Sequence, residues 1–143
     1  MKARGLLVLA ACLGTCCGQS LRMAPTGAPP IRNAVASIVD YPPPPAAVEQ
    51  IGADPGAPCM WVDGYWSWQG RRWVWTEGGW FIAPEGCYFS RPTLQWQAGE
   101  PTDVLYYAPP RWYPENADEL DGSEVDAACR DVKACRLASE KRR

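Results

Sequence analysis

Aromatic residues alternate with smaller or polar residues in the middle of this chain. Trp66 and Trp68 are two positions apart, and Trp73 and Trp75 repeat that spacing after Gly70-Arg71. A period of two is typical of a β-strand, because successive side chains of a strand point to opposite faces of the sheet. The pattern therefore predicts two antiparallel strands. Glycine at the first central position of the connection favours a two-residue type II′ turn.

A turn at residues 70 and 71 determines which tryptophans face each other. The predicted pairs are Trp68 with Trp73, Trp66 with Trp75, and Trp61 with Trp80. Alternation then places Trp66, Trp68, Trp73 and Trp75 on one face of the sheet, and Trp61, Tyr65 and Trp80 on the other. Each aromatic cross-strand pair contributes about 0.5–1.5 kcal/mol beyond its buried area. We expect these six tryptophans to be structural, with binding as the alternative role of an open face.

Two more hairpins are predicted downstream. The first joins residues 80–82 to residues 87–89 through the turn at 83–86, and the second joins residues 94–97 to residues 104–107. The expected fold class is mostly β. It is a small antiparallel meander of tryptophan-paired hairpins over residues 59–113, with a proline-rich linker before it and an amphipathic helix after it.

The motif Trp-x-x-Gly-x-Trp occurs twice, at residues 61–66 and 75–80. Both copies resemble the WXXGXW (or YXWGXW) repeat family of exported bacterial proteins. The resemblance covers roughly residues 59–113. It implies β-structure and a location in the cell envelope, and it implies no biochemical activity.

Residues 20–58 are rich in proline. Nine of the 15 prolines lie between Pro25 and Pro58, including the run at 42–45. Such a run favours a polyproline II rod rather than a helix or a strand. We expect a largely disordered linker that holds the following module away from a membrane. The alternative is a docking segment for a proline-binding partner.

Residues 1–19 have the composition of an export signal. A basic start is followed by an apolar stretch that is too short to span a bilayer permanently. Leu9-Ala10-Ala11-Cys12 resembles the lipobox of bacterial lipoproteins, and Leu13-Gly14-Thr15-Cys16 is a second candidate at a better distance from the start. The resemblance implies lipid attachment at Cys12 or Cys16 and anchoring in the cell envelope, with the outer membrane as the expected site. An ordinary secretory signal is the alternative.

Cys59 and Cys87 bracket the double repeat. Seven cysteines in so short a chain fit an oxidising compartment. We therefore expect a Cys59–Cys87 disulfide, which would contribute about 3–4 kcal/mol. In the predicted register, strands two apart lie about 9–10 Å from each other, beyond disulfide reach. The bridge thus requires a sharp curl at Pro84 or a different register.

The last segment, residues 114–143, is acidic at its start and basic at its end. Residues 123–126 resemble a helix start, and Val125, Cys129 and Val132 follow near helical spacing. We expect a solvated amphipathic helix. In a continuous helix Cys129 and Cys135 would lie on different sides, about 9 Å apart along the axis, and could not pair. The alternative role is contact of the basic end with anionic lipid or polysaccharide.

The composition also limits the function. The chain has no histidine and a net charge of -2, so neither a histidine-based catalytic site nor a nucleic-acid partner is expected. No cofactor or metal is expected, since no cysteine spacing matches a zinc site. The sequence predicts a non-enzymatic envelope lipoprotein with a structural or adhesive role. The alternative is binding of peptidoglycan or exopolysaccharide through an exposed aromatic face.

Overall fold

The computed structural model describes residues 20–135. The predicted lipid-attachment residues Cys12 and Cys16 lie outside this range. The described elements are, in chain order, β1 (Thr26–Gly27), β2 (Ser37–Val39), β3 (Met60–Val62), β4 (Tyr65–Gln69), β5 (Arg72–Thr76), β6 (Gly79–Ile82), β7 (Cys87–Ser90), β8 (Thr93–Gln97), β9 (Val104–Ala108), β10 (Arg111–Pro114), α1 (Gly122–Ala128) and β11 (Lys133–Ala134). The predicted mostly-β class is confirmed.

The strands form four small sheets. Their orders are β1-β7-β10, β11-β6-β3, β2-β9-β8 and β4-β5, and all strand pairs are antiparallel except β1 with β7. The predicted hairpin between residues 80–82 and 87–89 is wrong. β6 lies between β3 and β11, and β7 lies between β1 and β10. Strands from both ends of the chain occupy the edges through which β6 and β7 would have paired.

The proline-rich segment is part of the fold, so the prediction of a largely disordered linker over residues 20–58 is wrong. Met23 bridges Trp61, β1 adds to β7, and β2 adds to β9. Ala24 and Val39 are buried among residues of the later strands. Proline prevents the segment from pairing continuously, yet its carbonyl groups remain free to accept hydrogen bonds from side chains. We call residues 40–54 the strap.

Buried side chains form four small clusters. The largest aromatic cluster contains Val39, Trp73, Leu105 and Tyr107, with Trp66 and Trp68 packed against it. A second contains Ala24, Val62 and Phe89, a third contains Cys59, Trp61 and Trp80, and a fourth contains Tyr113, Ala117 and Val125. The first three clusters combine residues that are distant in sequence, whereas the fourth lies within residues 113–125. The stability of the fold therefore depends on contacts between the ends of the chain and its middle.

The disulfides also join the middle of the chain to its end. Cys59 pairs with Cys135, and Cys87 pairs with Cys129. The predicted Cys59–Cys87 bridge is wrong. Because β6 and β7 belong to different sheets, the strand pairing that would bring Cys59 and Cys87 together does not form. The Cα atoms of the observed pairs are 6.2 and 6.1 Å apart.

The C-terminal helix is shorter than the pattern predicts. Asp121 is its N-cap: the Asp121 carboxylate accepts from the amides of Ser123 and Glu124, and Glu124 reaches back to the Asp121 amide. The helix ends at Ala128, so Cys129 and Cys135 do not share it, and Val125 is buried rather than solvated. Between residues 20 and 135, no helix has the length and apolar character needed to cross a bilayer.

Candidate functional site

Three tryptophan pairs form the centre of the repeat region. Trp68 lies opposite Trp73 and Trp66 opposite Trp75 in the β4-β5 hairpin, and Trp61 lies opposite Trp80 between β3 and β6. Their ring centroids are 4.9, 5.1 and 5.6 Å apart, and each pair packs edge to face. This is a favourable geometry for aromatic quadrupoles. These are the six tryptophans that the alternation singled out.

The pairs do not form the predicted two faces of one sheet. β3 and β6 belong to a different sheet from β4 and β5. Trp61 and Trp80 pack around Cys59 and Cys135, whereas Tyr65 packs in the cluster of Val62 and Phe89. The two glycines of the repeats lie where the chain passes from one sheet to the other.

The β4-β5 turn also differs from the prediction. Gly70 has φ 53° and Arg71 has φ 67°. Two consecutive positive values of φ define a type I′ turn, whereas the predicted type II′ turn has a positive φ only at its first central residue. The Arg71 side chain reaches back to Asp40, with 3.0 Å between Nη2 and Oδ2. The Asp40 contact lies at the start of the strap.

The strap covers the tryptophan hairpin and binds its polar atoms. Trp73 Nε1 donates to the carbonyl oxygen of Tyr41 at 3.0 Å, and Trp66 Nε1 donates to that of Pro45 at 3.1 Å. The Tyr41 ring also packs edge to face on Trp68, with 5.2 Å between centroids. The indole N–H groups of Trp66 and Trp73 are therefore satisfied within the chain.

Glu49 of the strap joins the two copies of the repeat. Its carboxylate accepts from the amide of Gly64 at 2.8 Å and from the amide of Gly78 at 2.7 Å. It also accepts from Trp75 Nε1 at 3.3 Å. Gly64 and Gly78 are the glycines of the first and second motif. One carboxylate thus binds equivalent positions of both copies.

The bound carboxylate explains why glycine stands in both motifs. A Cβ atom on Gly64 would lie 2.6 Å from Cζ2 of Trp75 and 2.7 Å from Cδ of Glu49. On Gly78 it would lie 2.7 Å from Cζ2 of Trp61 and 2.8 Å from Oε2 of Glu49. Any other residue at these positions would displace an indole ring or the Glu49 carboxylate. The glycines allow close approach and do not merely permit the strands to bend.

The β8-β9 hairpin covers the tryptophan hairpin from another direction. The Tyr107 hydroxyl donates to the carbonyl oxygen of Trp66 at 2.8 Å, and its ring packs edge to face on Trp73 at 5.0 Å. Burial raises the pKa of Tyr107 to about 12, with the nearby Tyr65 adding to the shift. Tyr107 and Leu105 are 4% and 3% exposed, so β9 supplies core and not an open platform.

Two clefts flank the hairpin. The larger, about 440 Å³, is lined by the strap around Glu49 together with Trp61, Trp75 and Glu77. The other, about 290 Å³, lies between the proline run and the tryptophans; it is lined by Pro43, Pro44, Ala46, Gly64, Tyr65, Trp66, Trp75, Pro92, Leu94 and Tyr107. The second cleft is the more apolar. It is the place where an apolar ring face could contact Trp66 and Trp75.

The tryptophans differ in how far they remain accessible. Trp61, Trp73 and Trp80 are buried, and Trp66, Trp68 and Trp75 are half-buried. Trp96 is 60% exposed. The sequence did not single out Glu49, Tyr41 or Trp96. One feature of the sequence does distinguish Glu49: it is the only charged residue between Asp40 and Asp54.

Two carboxylates near the aromatic region, those of Asp63 and Glu49, have structural partners. Asp63 accepts from Trp61 Nε1 at 2.9 Å and from Arg91 at 3.2 Å. Glu49 is engaged by the two repeat glycines. Among residues 20–135, no group of three or more His, Cys, Asp or Glu residues is placed to hold a metal ion. The strap packs on the tryptophan hairpin. The surfaces that remain accessible to other molecules include the apolar cleft and the exposed strand β8.

Comparisons with known proteins leave the family open. No family model matches the chain, and neither a curated protein nor a solved structure matches it. The resemblance to the WXXGXW repeat family therefore rests on the two motifs at residues 61–66 and 75–80.

Proposed function

We propose that this chain is a non-enzymatic lipoprotein of the cell envelope whose tryptophan module is a structural or adhesive scaffold. The observation that carries the proposal is that indole N–H groups of the aromatic region donate hydrogen bonds to other parts of the same chain. The indole N–H groups of Trp66, Trp73 and Trp75 bind Pro45, Tyr41 and Glu49 of the strap. Tryptophans that bind external sugars would need such groups and ring faces to remain open.

The two disulfides support a location outside the reducing cytosol. Cys59–Cys135 and Cys87–Cys129 connect the repeat region to the C-terminal segment. Disulfides persist in the periplasm, at cell surfaces and in secreted proteins, where small cores commonly need such cross-links. This compartment agrees with the export signal expected over residues 1–19 and with the membrane as partner.

Lipid attachment at Cys12 or Cys16 would place the module close to the membrane. Met23, seven residues after Cys16, already bridges Trp61. The strap packs on the module and does not serve as the spacer that its prolines suggested. The scaffold would therefore lie at the membrane surface, held by acyl chains that contribute about 0.8 kcal/mol per buried CH₂ group.

Changing Cys12 and Cys16 together to serine tests the anchor. We expect the double variant to leave the membrane fraction, whereas the control Thr15→Ser, which keeps every cysteine, stays with it. Blocking lipoprotein signal cleavage with a globomycin-type inhibitor should accumulate the uncleaved chain. If the double variant fractionates with membranes as the parent does, attachment at these cysteines is refuted.

Carbohydrate binding is the second candidate, and the apolar cleft of about 290 Å³ is the observation that favours it. A sugar ring could contact Trp66 and Trp75 there. Titration of tryptophan fluorescence with peptidoglycan fragments and a glycan array tests this function. Leu94→Glu places a charge in the cleft and should weaken binding, whereas Val48→Glu, at a fully exposed position, should not. A flat response to every glycan would exclude this candidate.

A further inference from the structure

The outer edge of the β2-β9-β8 sheet is open. β8 pairs with β9 along one side, and none of the strands described between residues 20 and 135 pairs with its other side. All five residues of β8 are exposed. Leu94 and Trp96 are 42% and 60% exposed, although both are large and apolar. An exposed strand edge presents unpaired amide and carbonyl groups to any strand that can align with them.

β8 lacks the features that protect edge strands. Soluble proteins usually block such edges with charged residues, proline, a bulge or very short strands. The sequence Thr-Leu-Gln-Trp-Gln contains no charge and no proline, and it pairs with β9 over five consecutive residues. The opposite edge of the same sheet, β2, has only three residues and is followed by the ion pair of Asp40 with Arg71.

We propose that β8 is a self-association surface on which β8 of a second copy pairs antiparallel. Full overlap sets Gln95 opposite Gln95 of the second copy, and Leu94 opposite its Trp96. Residues opposite each other in an antiparallel pair share a face, so both apolar pairs form on one side and the polar residues pair on the other. The two sheets then become one continuous sheet of six strands.

The sequence of β8 is suited to this register. Two Leu–Trp pairs form per contact, on the face of the sheet that carries Leu105 and Tyr107. None of the five residues of β8 is charged, so no like charges face each other within the paired strands. The inference depends on this edge and not on the lipid anchor.

Charge substitution at Gln95 tests the pairing, because Gln95 meets itself. The full chain, with both disulfides intact, is measured by sedimentation velocity across a concentration series. Gln95→Lys places two lysines opposite each other, and Gln95→Glu places two glutamates there. We expect each variant to raise the dimer Kd by about fivefold or more. An equimolar mixture of the two should restore association, since lysine then faces glutamate.

Controls separate this contact from other associations. Val48→Lys and Val48→Glu add the same charges at an exposed position of the strap and should associate as the parent does. If association occurred through the N-terminal segment, the dimer Kd would be equal in all variants, and mixing the two Gln95 variants would not change it. A parent chain that is monomeric throughout the series, a Gln95→Lys variant that associates as the parent does, or a mixture that fails to restore association would each overturn the proposal.

Discussion

Glu49→Ala should detach the strap from the two repeat motifs. The carboxylate accepts hydrogen bonds of 2.8 and 2.7 Å from the amides of Gly64 and Gly78 and one of 3.3 Å from Trp75. Hydrogen bonds to a charged group contribute about 1.5–3 kcal/mol each when buried. Glu49 is only half-buried and the Trp75 bond is long. Water can also replace the carboxylate in the adjoining cleft of about 440 Å³.

These competing effects set the expected magnitude. We expect Glu49→Ala to lower the free energy of unfolding by about 2–3 kcal/mol. For a domain of this size that corresponds to a fall in Tm of roughly 10 °C. Glu49→Gln should lower the free energy of unfolding by nearly as much. The NH₂ group of glutamine cannot accept a hydrogen bond, and it would face either the N–H of Gly64 or those of Gly78 and Trp75. The assay is urea unfolding of the oxidised protein followed by tryptophan fluorescence.

Glu77 provides a matched control in the same cleft. It is exposed, it lines the cleft beside Glu49, and replacing it with alanine should change stability by less than about 0.5 kcal/mol. Hydrogen exchange gives a local readout, since the amides of Gly64 and Gly78 should exchange faster in Glu49→Ala alone. Equal stability losses in the two alanine variants, or unchanged exchange at both glycines, would refute the role assigned to Glu49.

Three further predictions concern the bridges, the buried tyrosine and the turn. Replacing Cys87 and Cys129 with serine should lower the free energy of unfolding by about 4 kcal/mol, because their disulfide closes a separation of 42 residues; a loss below about 1 kcal/mol in urea unfolding would contradict this. Tyr107→Phe should cost about 1 kcal/mol at neutral pH through its lost hydrogen bond. Since the folded pKa of Tyr107 is raised to about 12, its contribution is complete below pH 10 and is lost as the pH rises from 10 to 12; alkaline unfolding of the parent should show this decline and the phenylalanine variant should show a smaller one, because burial also raises the pKa of Tyr88 and of Tyr113, and parallel curves would refute the assignment. Changing Gly70-Arg71 to Asn-Gly should raise Tm, with a gain of about 0.5–1 kcal/mol, because Arg71 no longer occupies a positive φ; a lower Tm would show that the Asp40 contact matters more.

Local patterns predicted the parts of the fold that depend on neighbours in sequence. The spacing of Trp66, Trp68, Trp73 and Trp75 and a two-residue turn determine one register, and the β4-β5 hairpin has that register. The β8-β9 hairpin likewise joins residues predicted to pair across a short connection. Alternation and turn chemistry act over a few residues, so they are readable without knowledge of the rest of the chain.

Contacts between distant segments were beyond these patterns. Proline composition predicts poor helix and strand formation, but it does not show that Tyr41 and Pro45 offer carbonyl groups to the tryptophans. The disulfide partners depend on sheets completed by the ends of the chain. The site was accordingly predicted in part: the paired tryptophans were found, while Glu49, which binds their motifs together, was not.

The disulfide pattern has a consequence for how the chain must mature. The loop closed by Cys87 and Cys129 lies wholly inside the one closed by Cys59 and Cys135. If the chain enters an oxidising compartment N-terminus first, Cys59 and then Cys87 emerge before their native partners, Cys135 and Cys129. Among the four cysteines of the two disulfides, pairing in order of emergence would join Cys59 to Cys87. Correct maturation therefore requires that oxidation wait for the whole chain, or that a thiol–disulfide isomerase exchange the early bridge for the nested ones.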